Sequence, residues 1–256
     1  MIRKETIKEI LLENRKEVEN QEIIQRDIEM EDFANYVLVG VRRAGKSFML
    51  YQQMQKNLSN GITWDSMLYI NFEDERLIGM TAQELNLILE VHGMMSDKRP
   101  ILFLDEIQNI AGWEKFARRL ADSKYRVYIT GSNAKMLSSD VATTLGGRYI
   151  TKHILPYSFK EYLRANNVPI DADTLATTSG RAELQRNFAV FFRFGGFPEG
   201  AKLSSKRDYI NSVYQKIYLG DIAARNRIEN QFSLRILFRK MAESIKQPVS
   251  FSRLAN

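Results

Sequence analysis

The chain has 256 residues, 44% of them hydrophobic, and no cysteine, which is enough for one large domain with an apolar core. The absence of cysteine excludes disulfide frameworks and thiolate metal sites, and no stretch resembles a signal peptide or a membrane span. The net charge of +6 is uneven, because residues 200–256 carry 11 Lys and Arg against 4 Asp and Glu, a net of +7. We therefore expect a cytoplasmic protein without a membrane partner. The basic C-terminal part suits an acidic partner such as nucleic acid, although solvated basic side chains on helix faces explain the same charge.

The predicted elements begin with an amphipathic helix, in which Ile7, Ile10 and Leu11 recur at helical spacing. Five short apolar runs with strand character follow: FANYVLVG, SMLYINF, ILFLDEI, YRVYITGS and RYITKHIL. Stretches of helical periodicity lie between them, at 48–58, 82–94 and 113–123. The middle three runs are nearly continuous in apolar residues, which is typical of strands buried on both faces of a parallel sheet. The alternation predicts a parallel α/β sandwich.

The pattern changes after Pro156. Helical periodicity dominates in YSFKEYLRANN, in RAELQRNFAVFFRF and in the span 207–245, and FGGFPEG is the one strong turn. We therefore predict a boundary near residue 160, between an α/β domain and a helical region.

The segment GVRRAGKS, residues 40–47, fits the pattern G-x-x-x-x-G-K-[ST] and lies between a predicted buried strand and a helix. Gly40 and Gly45 would let backbone N–H groups close around phosphate oxygens, and the start of the following helix adds partial positive charge. Lys46 would reach the β- and γ-phosphates, and the hydroxyl of Ser47 would be a ligand to Mg²⁺. The pattern and its context together predict a phosphate-binding loop.

Two acids follow another predicted buried strand, in the segment ILFLDEIQ. Asp105 is placed at the carboxyl end of this strand, which is the edge where ligands bind in open α/β sheets. We expect Asp105 to hold Mg²⁺ through water, and Glu106 to take a proton from the water that attacks the γ-phosphate. An exposed Asp-Glu pair at a strand end is the alternative, which the neighbouring phosphate-binding loop disfavours.

Two further segments offer weaker candidates. The strand in VYITGSN ends in Thr130, Ser132 and Asn133, small polar residues that could orient the attacking water or touch the γ-phosphate, although this is also ordinary turn sequence. Arg148 precedes the fifth strand and could approach a γ-phosphate as an arginine finger, from the same or a neighbouring subunit. A surface ion pair explains Arg148 equally well.

Six segments in order carry a family resemblance: GVRRAGKS, YINFEDERL, ILFLDEIQ, ITGSN, LGGRYITKHILPYSFKEYL and FGGFPE. Across most of residues 36–199 they resemble the prokaryotic AAA-type ATPases of the archaeal-ATPase and STAND-like group. The resemblance implies an AAA-type P-loop three-layer sandwich with the sheet order 5-1-4-3-2, and ATP as the nucleotide. It also implies that Asp105 and Glu106 are the Walker B pair, that Asn133 is the sensor residue, and that Arg42 and Arg43 are the paired arginines of the loop.

The resemblance further implies a C-terminal winged helix and a domain beyond it. We therefore expect three regions: an α/β core with its N-terminal helix at 1–160, a helical lid at 161–240, and the start of a truncated winged helix at 241–256. The expected nucleotide-binding residues are Gly40, Arg42, Arg43, Ala44, Gly45, Lys46, Ser47 and Phe48. The expected catalytic residues are Lys46, Glu106, Asn133 and Arg148, and the expected metal ligands are Ser47 and Asp105.

Two functional hypotheses follow from these expectations. The first is an Mg²⁺-dependent ATPase that acts as a nucleotide-driven switch. The second is a nucleotide-gated binding module with negligible turnover, which recruits DNA or a protein partner through its basic C-terminal part. The sequence leaves the oligomeric state open.

Overall fold

A computed structural model of the chain describes residues 2–132, 143–224, 227–245, 250 and 252. Its five strands are β1 (Tyr36–Gly40), β2 (Met67–Asn71), β3 (Ile101–Asp105), β4 (Val127–Ser132) and β5 (Ile150–His153). Helices α1 (Lys4–Asn20), α2 (Lys46–Ser59), α3 (Asn86–Met95) and α4 (Trp113–Asp122) alternate with them. Strand and helix therefore follow one another as the apolar pattern predicted.

The strands form one sheet in the order β2-β3-β4-β1-β5, and every neighbouring pair is parallel. Read from the other edge, this order is 5-1-4-3-2, so the predicted fold is confirmed. Strand β4 lies between β1 and β3, which places the two strands that precede the candidate site about 10 Å apart. This spacing leaves room for a ligand at the carboxyl edge between them.

The two faces of the sheet are covered by different helices. Apolar residues of α1, α3 and α4 pack on one face, against alternate residues such as Val39, Ile70 and Leu104. Helix α2 packs on the other face. The chain thus has the three layers of an α/β/α sandwich.

An aromatic row crosses the face that α2 covers. The backbone register aligns Tyr69, Phe103, Tyr128 and Tyr36 on four successive strands. The ring centroids of Phe103 and Tyr128 are 4.9 Å apart, and those of Tyr128 and Tyr36 are 5.9 Å apart. These rings are almost fully buried and form the centre of this face.

Helices dominate the remaining part of the chain, as predicted. They are α5 (Phe159–Ala165), α6 (Ala172–Ala176), α7 (Thr178–Phe194), α8 (Pro198–Lys202), α9 (Lys206–Gln215), a π-helical stretch (Lys216–Ala224) and α10 (Gln231–Glu243). The predicted helical span 207–245 is therefore interrupted rather than continuous. Asn230 caps α10 by accepting a hydrogen bond from the N–H of Ser233, which starts a new helix at that point.

The chain divides into two compact units, Met1–Lys202 and Leu203–Asn256. The first contains the sheet and α1 to α8, and the second has its own small cluster around Tyr218, Ala223 and Leu234. The expected boundary near 160 and the expected winged helix stay predictions, and most of 241–256 lies outside the described residues. Within the described ranges, no helix is both long and apolar enough to cross a membrane.

Candidate functional site

The predicted phosphate-binding loop connects the end of β1 to the first turn of α2. Gly40 ends the strand, and a Cβ atom on this residue would lie 2.2 Å from the carbonyl oxygen of Ile154, so no side chain fits there. Gly45 has a φ of +94°, a conformation that glycine adopts without strain. The loop therefore needs glycine at both positions, for two different reasons, and it presents the N-terminus of the 14-residue α2 to a ligand.

The carboxylate of Asp105 lies at the carboxyl end of β3 and is fully buried. Two hydroxyl groups donate to it: Tyr69 donates from β2 at 3.0 Å to Oδ2, and Thr130 donates from β4 to Oδ1. A third hydroxyl, that of Ser47 on α2, is close enough to lower the pKa of this carboxyl. As predicted, the phosphate-binding loop therefore lies next to the acid at the carboxyl end of β3.

Burial raises the pKa of Asp105, and the three hydroxyl groups oppose that shift because they stabilise the ionised form. A hydroxyl and a carboxylate in contact are the hard oxygen donors that suit Mg²⁺. The residues present therefore fit the ion that the sequence predicts, with Ser47 and Asp105 as the groups that would hold it.

Lys46 and Glu106 face each other next to this pair. The Nζ atom of Lys46 is 3.3 Å from Oε1 of Glu106 and 3.4 Å from the carbonyl oxygen of Val41, and its side chain is only 5% exposed. Glu106 adopts a φ of +52°, and its N–H donates to the hydroxyl of Thr130 at 2.9 Å. A left-handed backbone at a residue other than glycine is strained, and such strain is common at functional sites.

The remaining loop residues are closer to the surface, except for the buried Ala44. Arg42 forms an ion pair with Glu73 at 3.6 Å, and Arg43 forms one with Glu199 of α8 at 2.8 Å. Phe48 is 42% exposed on the first turn of α2. These side chains surround the loop, and their expected roles toward a nucleotide stay predictions.

The structure does not bring Arg148 to the loop of its own chain. Its carbonyl oxygen accepts a hydrogen bond from Asn35, which immediately precedes β1, and its guanidinium pairs with Asp122 at the end of α4. Arg148 therefore lies at the amino edge of the sheet, whereas the loop lies at the carboxyl edge. This corrects the same-chain interpretation of Arg148 as an arginine finger, and its action on a neighbouring subunit stays a prediction.

Strand β4 carries Thr130, one of the small polar residues that the sequence offered as weaker candidates. Thr130 is fully buried, and its hydroxyl donates to Asp105 and accepts from the N–H of Glu106; its expected role toward an attacking water stays a prediction. Asn133, the expected sensor residue, lies outside the described residues.

A buried ion pair that sequence reasoning missed lies behind the loop. Arg26 donates from Nε to Glu161 at 2.8 Å, from Nη1 to the carbonyl oxygen of Ala44 at 3.2 Å, and from Nη2 to the carbonyl oxygen of Leu155 at 2.8 Å. Both charged side chains are 5% exposed. One guanidinium thus connects the phosphate-binding loop with α5 and with the segment that follows β5.

Part of this arrangement has a sequence signal. The pattern Ser158-x-x-Glu161 is a capping box, which the structure shows at the start of α5. Nothing in the sequence indicates that the same glutamate pairs with Arg26. The hydrogen bond from the hydroxyl of Tyr69 to Asp105 has no sequence signal either, because the sequence predicts β2 only as a buried strand.

Two relatives match this chain over most of its length. An uncharacterized protein of Methanocaldococcus jannaschii is 35% identical over 253 residues, which cover 97% of this chain and 56% of the relative. An uncharacterized protein of Haemophilus influenzae is 32% identical over 224 residues, 86% of this chain and 54% of the relative. The chain thus spans about half the length of these curated relatives.

Solved structures similar to this chain include AMPPCP-bound DnaA from Aquifex aeolicus and the Aeropyrum pernix ORC1 protein in complex with DNA. The first has 15% identity and a TM-score of 0.38, with 79% of this chain and 66% of that chain covered. The second has 16% identity and a TM-score of 0.39, with 100% of this chain and 76% of that chain covered. The AAA domain family matches residues 32–163, which contain the sheet, the phosphate-binding loop and the acid pair. With this match and the extended similarity to the archaeal relative, the chain belongs to the AAA domain family.

Proposed function

We propose that the chain binds ATP together with Mg²⁺ and hydrolyses it, and that hydrolysis serves as a conformational switch. The observation that carries this proposal is the contact between the ammonium group of Lys46 and the carboxylate of Glu106, which are 3.3 Å apart. The two residues come from separate motifs, and they meet at the carboxyl edge of a parallel sheet. This is the arrangement in which P-loop proteins hold a nucleotide and its metal ion.

The loop residues supply the binding. Backbone N–H groups at the start of α2 and the ammonium group of Lys46 would contact the β- and γ-phosphates. Ser47 and Asp105 would hold Mg²⁺, which neutralises charge on the phosphate oxygens when it is bound. The ammonium group is paired with Glu106 in the structure, and a bound phosphate oxygen would replace this carboxylate as its partner.

Glu106 would then be released to act as the general base. As the water oxygen bonds to the γ-phosphorus and the bond from that phosphorus to the bridging oxygen breaks, the proton of the water passes to the Glu106 carboxylate. ADP leaves with the bridging oxygen. The backbone hydrogen bond to Thr130 keeps the main chain of Glu106 fixed beside Asp105 during this step.

The test compares two lysines of the same helix. We expect Lys46→Ala to lower ATP affinity and phosphate release by at least about 100-fold, because a preorganised charge on the phosphates is lost. Lys56→Ala is the matched control, since Lys56 is half-exposed, lies in the last turn of the helix and pairs with Asp32 at 3.6 Å. If Lys46→Ala binds ATP and releases phosphate like Lys56→Ala, the assignment of this loop is wrong.

A second candidate is a nucleotide-gated binding module with negligible turnover. It is favoured by the observation that the Glu106 carboxylate is engaged by Lys46 and by the side-chain amide of Gln108. Glu106→Gln separates the two candidates, because an ATPase should lose turnover and keep ATP affinity, whereas a passive binder should change little. DNA recruitment through the basic C-terminal part predicts affinity that falls steeply with salt, and no DNA affinity at low ionic strength would remove it.

A further inference from the structure

We propose that Tyr69 and Thr130 are positioning residues that hold the carboxylate of Asp105 in the orientation required for Mg²⁺. We call this pair the hydroxyl clamp. The inference rests on the proposed function, because it concerns the metal ion that accompanies ATP. Nothing in the loop and acid motifs themselves assigns a role to either hydroxyl.

The clamp acts from both sides of one strand. Asp105 is on β3, and the two clamp residues are on the strands that flank it, Tyr69 on β2 and Thr130 on β4. Tyr69 donates to Oδ2 and Thr130 donates to Oδ1, so each carboxylate oxygen has its own donor. A carboxylate normally rotates in a broad torsional well, and donors on opposite sides restrict that rotation.

The clamp does not depend on the hydroxyl of Ser47. This hydroxyl also faces Asp105, but it belongs to the loop and is itself an expected metal ligand. When it contacts an ion, the two clamp hydroxyls still hold the carboxylate in place. Residues that orient a metal ligand in this way commonly change metal affinity by about 10- to 100-fold when they are replaced.

The contact of Tyr69 with Asp105 has one direction. A carboxylate oxygen accepts, so the hydroxyl of Tyr69 is the donor. The hydroxyl oxygen of Tyr51, on α2, is 3.1 Å from that of Tyr69, so a second buried hydroxyl lies beside the donor.

The two clamp residues differ in a way that an experiment can use. Thr130 also accepts the N–H of Glu106, so its replacement disturbs the base as well as the metal ligand. The hydroxyl of Tyr69 bonds Asp105 and Tyr51, and within the described residues it has no hydrogen bond to Glu106. Tyr69→Phe therefore tests the orientation of the metal ligand by itself.

The experiment measures the affinity of a fluorescent ATP analogue for the whole chain while Mg²⁺ is titrated, and again in excess EDTA. For Tyr69→Phe we expect the Mg²⁺ concentration at the midpoint to rise about 10-fold, and the affinity in EDTA to stay at the wild-type value. A structural role alone would change both quantities or neither.

Tyr128→Phe is the matched control. Tyr128 lies two strands away in the same aromatic row and is equally buried, but its hydroxyl bonds Arg126 rather than Asp105. We expect its Mg²⁺ midpoint to equal that of the wild type. A midpoint for Tyr69→Phe that equals the wild type, or equal shifts in the two phenylalanine variants, would overturn the proposal.

A second pair of variants tests the other side of the clamp. Thr130→Val should raise the Mg²⁺ midpoint and also lower turnover, whereas Thr130→Ser keeps the hydroxyl and should stay near the wild type. If the serine and valine variants behave alike, the clamp is refuted even where Tyr69→Phe fails to fold. Failure of the proposed function would look different, because wild-type affinity for the analogue would then show no response to Mg²⁺ at all.

Discussion

Each edge of the sheet in the first unit has an arginine-carboxylate ion pair, and the two pairs differ mainly in burial. At the carboxyl edge, Arg26 and Glu161 are each 5% exposed. At the amino edge, the side chains of Arg148 and Asp122 are 31% and 50% exposed. A buried pair is strongly destabilised when one partner is removed, whereas an exposed pair contributes little.

The difference shows how the molecule supports its candidate site. The buried guanidinium bonds the loop through the carbonyl oxygen of Ala44, in addition to its pairing with Glu161. In the described part of the chain, the exposed guanidinium at the other edge bonds Asp122 at the end of α4 and the carbonyl oxygen of Gly146, which precedes β5. Structural support is therefore concentrated at the edge where phosphate is expected to bind, and four measurements test this comparison.

The largest effect is expected from the two arginines themselves. Arg26→Ala leaves Glu161 buried without its partner, so we expect a loss of about 3–5 kcal/mol in the free energy of unfolding. The matched variant Arg148→Ala should cost about 0–1 kcal/mol. Urea unfolding of both variants measures this, and equal losses would contradict the comparison.

The glycine at the end of β1 should give the next largest effect. Gly40→Ala places a methyl group against the carbonyl oxygen of Ile154, so we expect a cost of about 1–3 kcal/mol together with weaker ATP binding. The control is Gly93→Ala in α3, where a Cβ atom meets nothing within 4 Å, and which should stabilise by about 0.5–1 kcal/mol. If thermal unfolding showed that both variants are stabilised, or that both are destabilised, this would argue against the tight contact at Gly40.

The pH dependence of stability should show a smaller effect. Burial opposes the ionised form of Glu161, but hydrogen bonds from Arg26, from the N–H of Ser158 and from the N–H of Asp27 outweigh it and hold its pKa below the usual value. Because the folded pKa is the lower one, this stabilisation is present above about pH 4.5 and is lost as the pH falls through the folded value. Unfolding titrations should therefore show a shallower acid dependence for Glu161→Gln, and identical slopes would refute this.

The smallest effect is expected when Arg148, at the amino edge, is replaced and ATP turnover is measured. Arg148 lies at the opposite edge from the loop of its own chain, so Arg148→Ala should leave phosphate release unchanged in dilute solution. Phosphate release measured over a range of protein concentrations checks this. A loss that appears only at high concentration would support action on a neighbouring subunit, and a loss in dilute solution would contradict the placement.

The sequence was sufficient for the fold and for the centre of the site because both depend on local patterns. Buried parallel strands need continuous apolar runs, so β2, β3 and β4 could be located, and the spacing of glycine, lysine and serine fixes the loop. Asp105 could be placed because an acid at the end of such a run must emerge at the carboxyl edge. The order of the strands came from the family resemblance.

The parts that could not be predicted depend on contacts between distant residues. Arg26 and Glu161 are 135 positions apart, and an arginine in a polar segment gives no sign that it is buried. Tyr69 looks like any aromatic residue of a strand, and only the pairing of β2 with β3 brings its hydroxyl to Asp105.

The position of Arg148 has a different explanation. It follows from strand direction, since a residue that precedes a parallel strand lies at the edge away from the loop.

The long separation between Arg26 and Glu161 has a consequence for biosynthesis. A nascent chain that has just completed β4 already contains Lys46, Ser47 and Asp105, but it lacks the helix that carries the partner of Arg26. Arg26 would then lack both Glu161 and the carbonyl oxygen of Leu155, so its guanidinium could not yet connect the loop to the rest of the fold. Capture of ATP is therefore expected late in translation, and ribosome-arrested chains of increasing length should retain nucleotide only once α5 has left the exit tunnel.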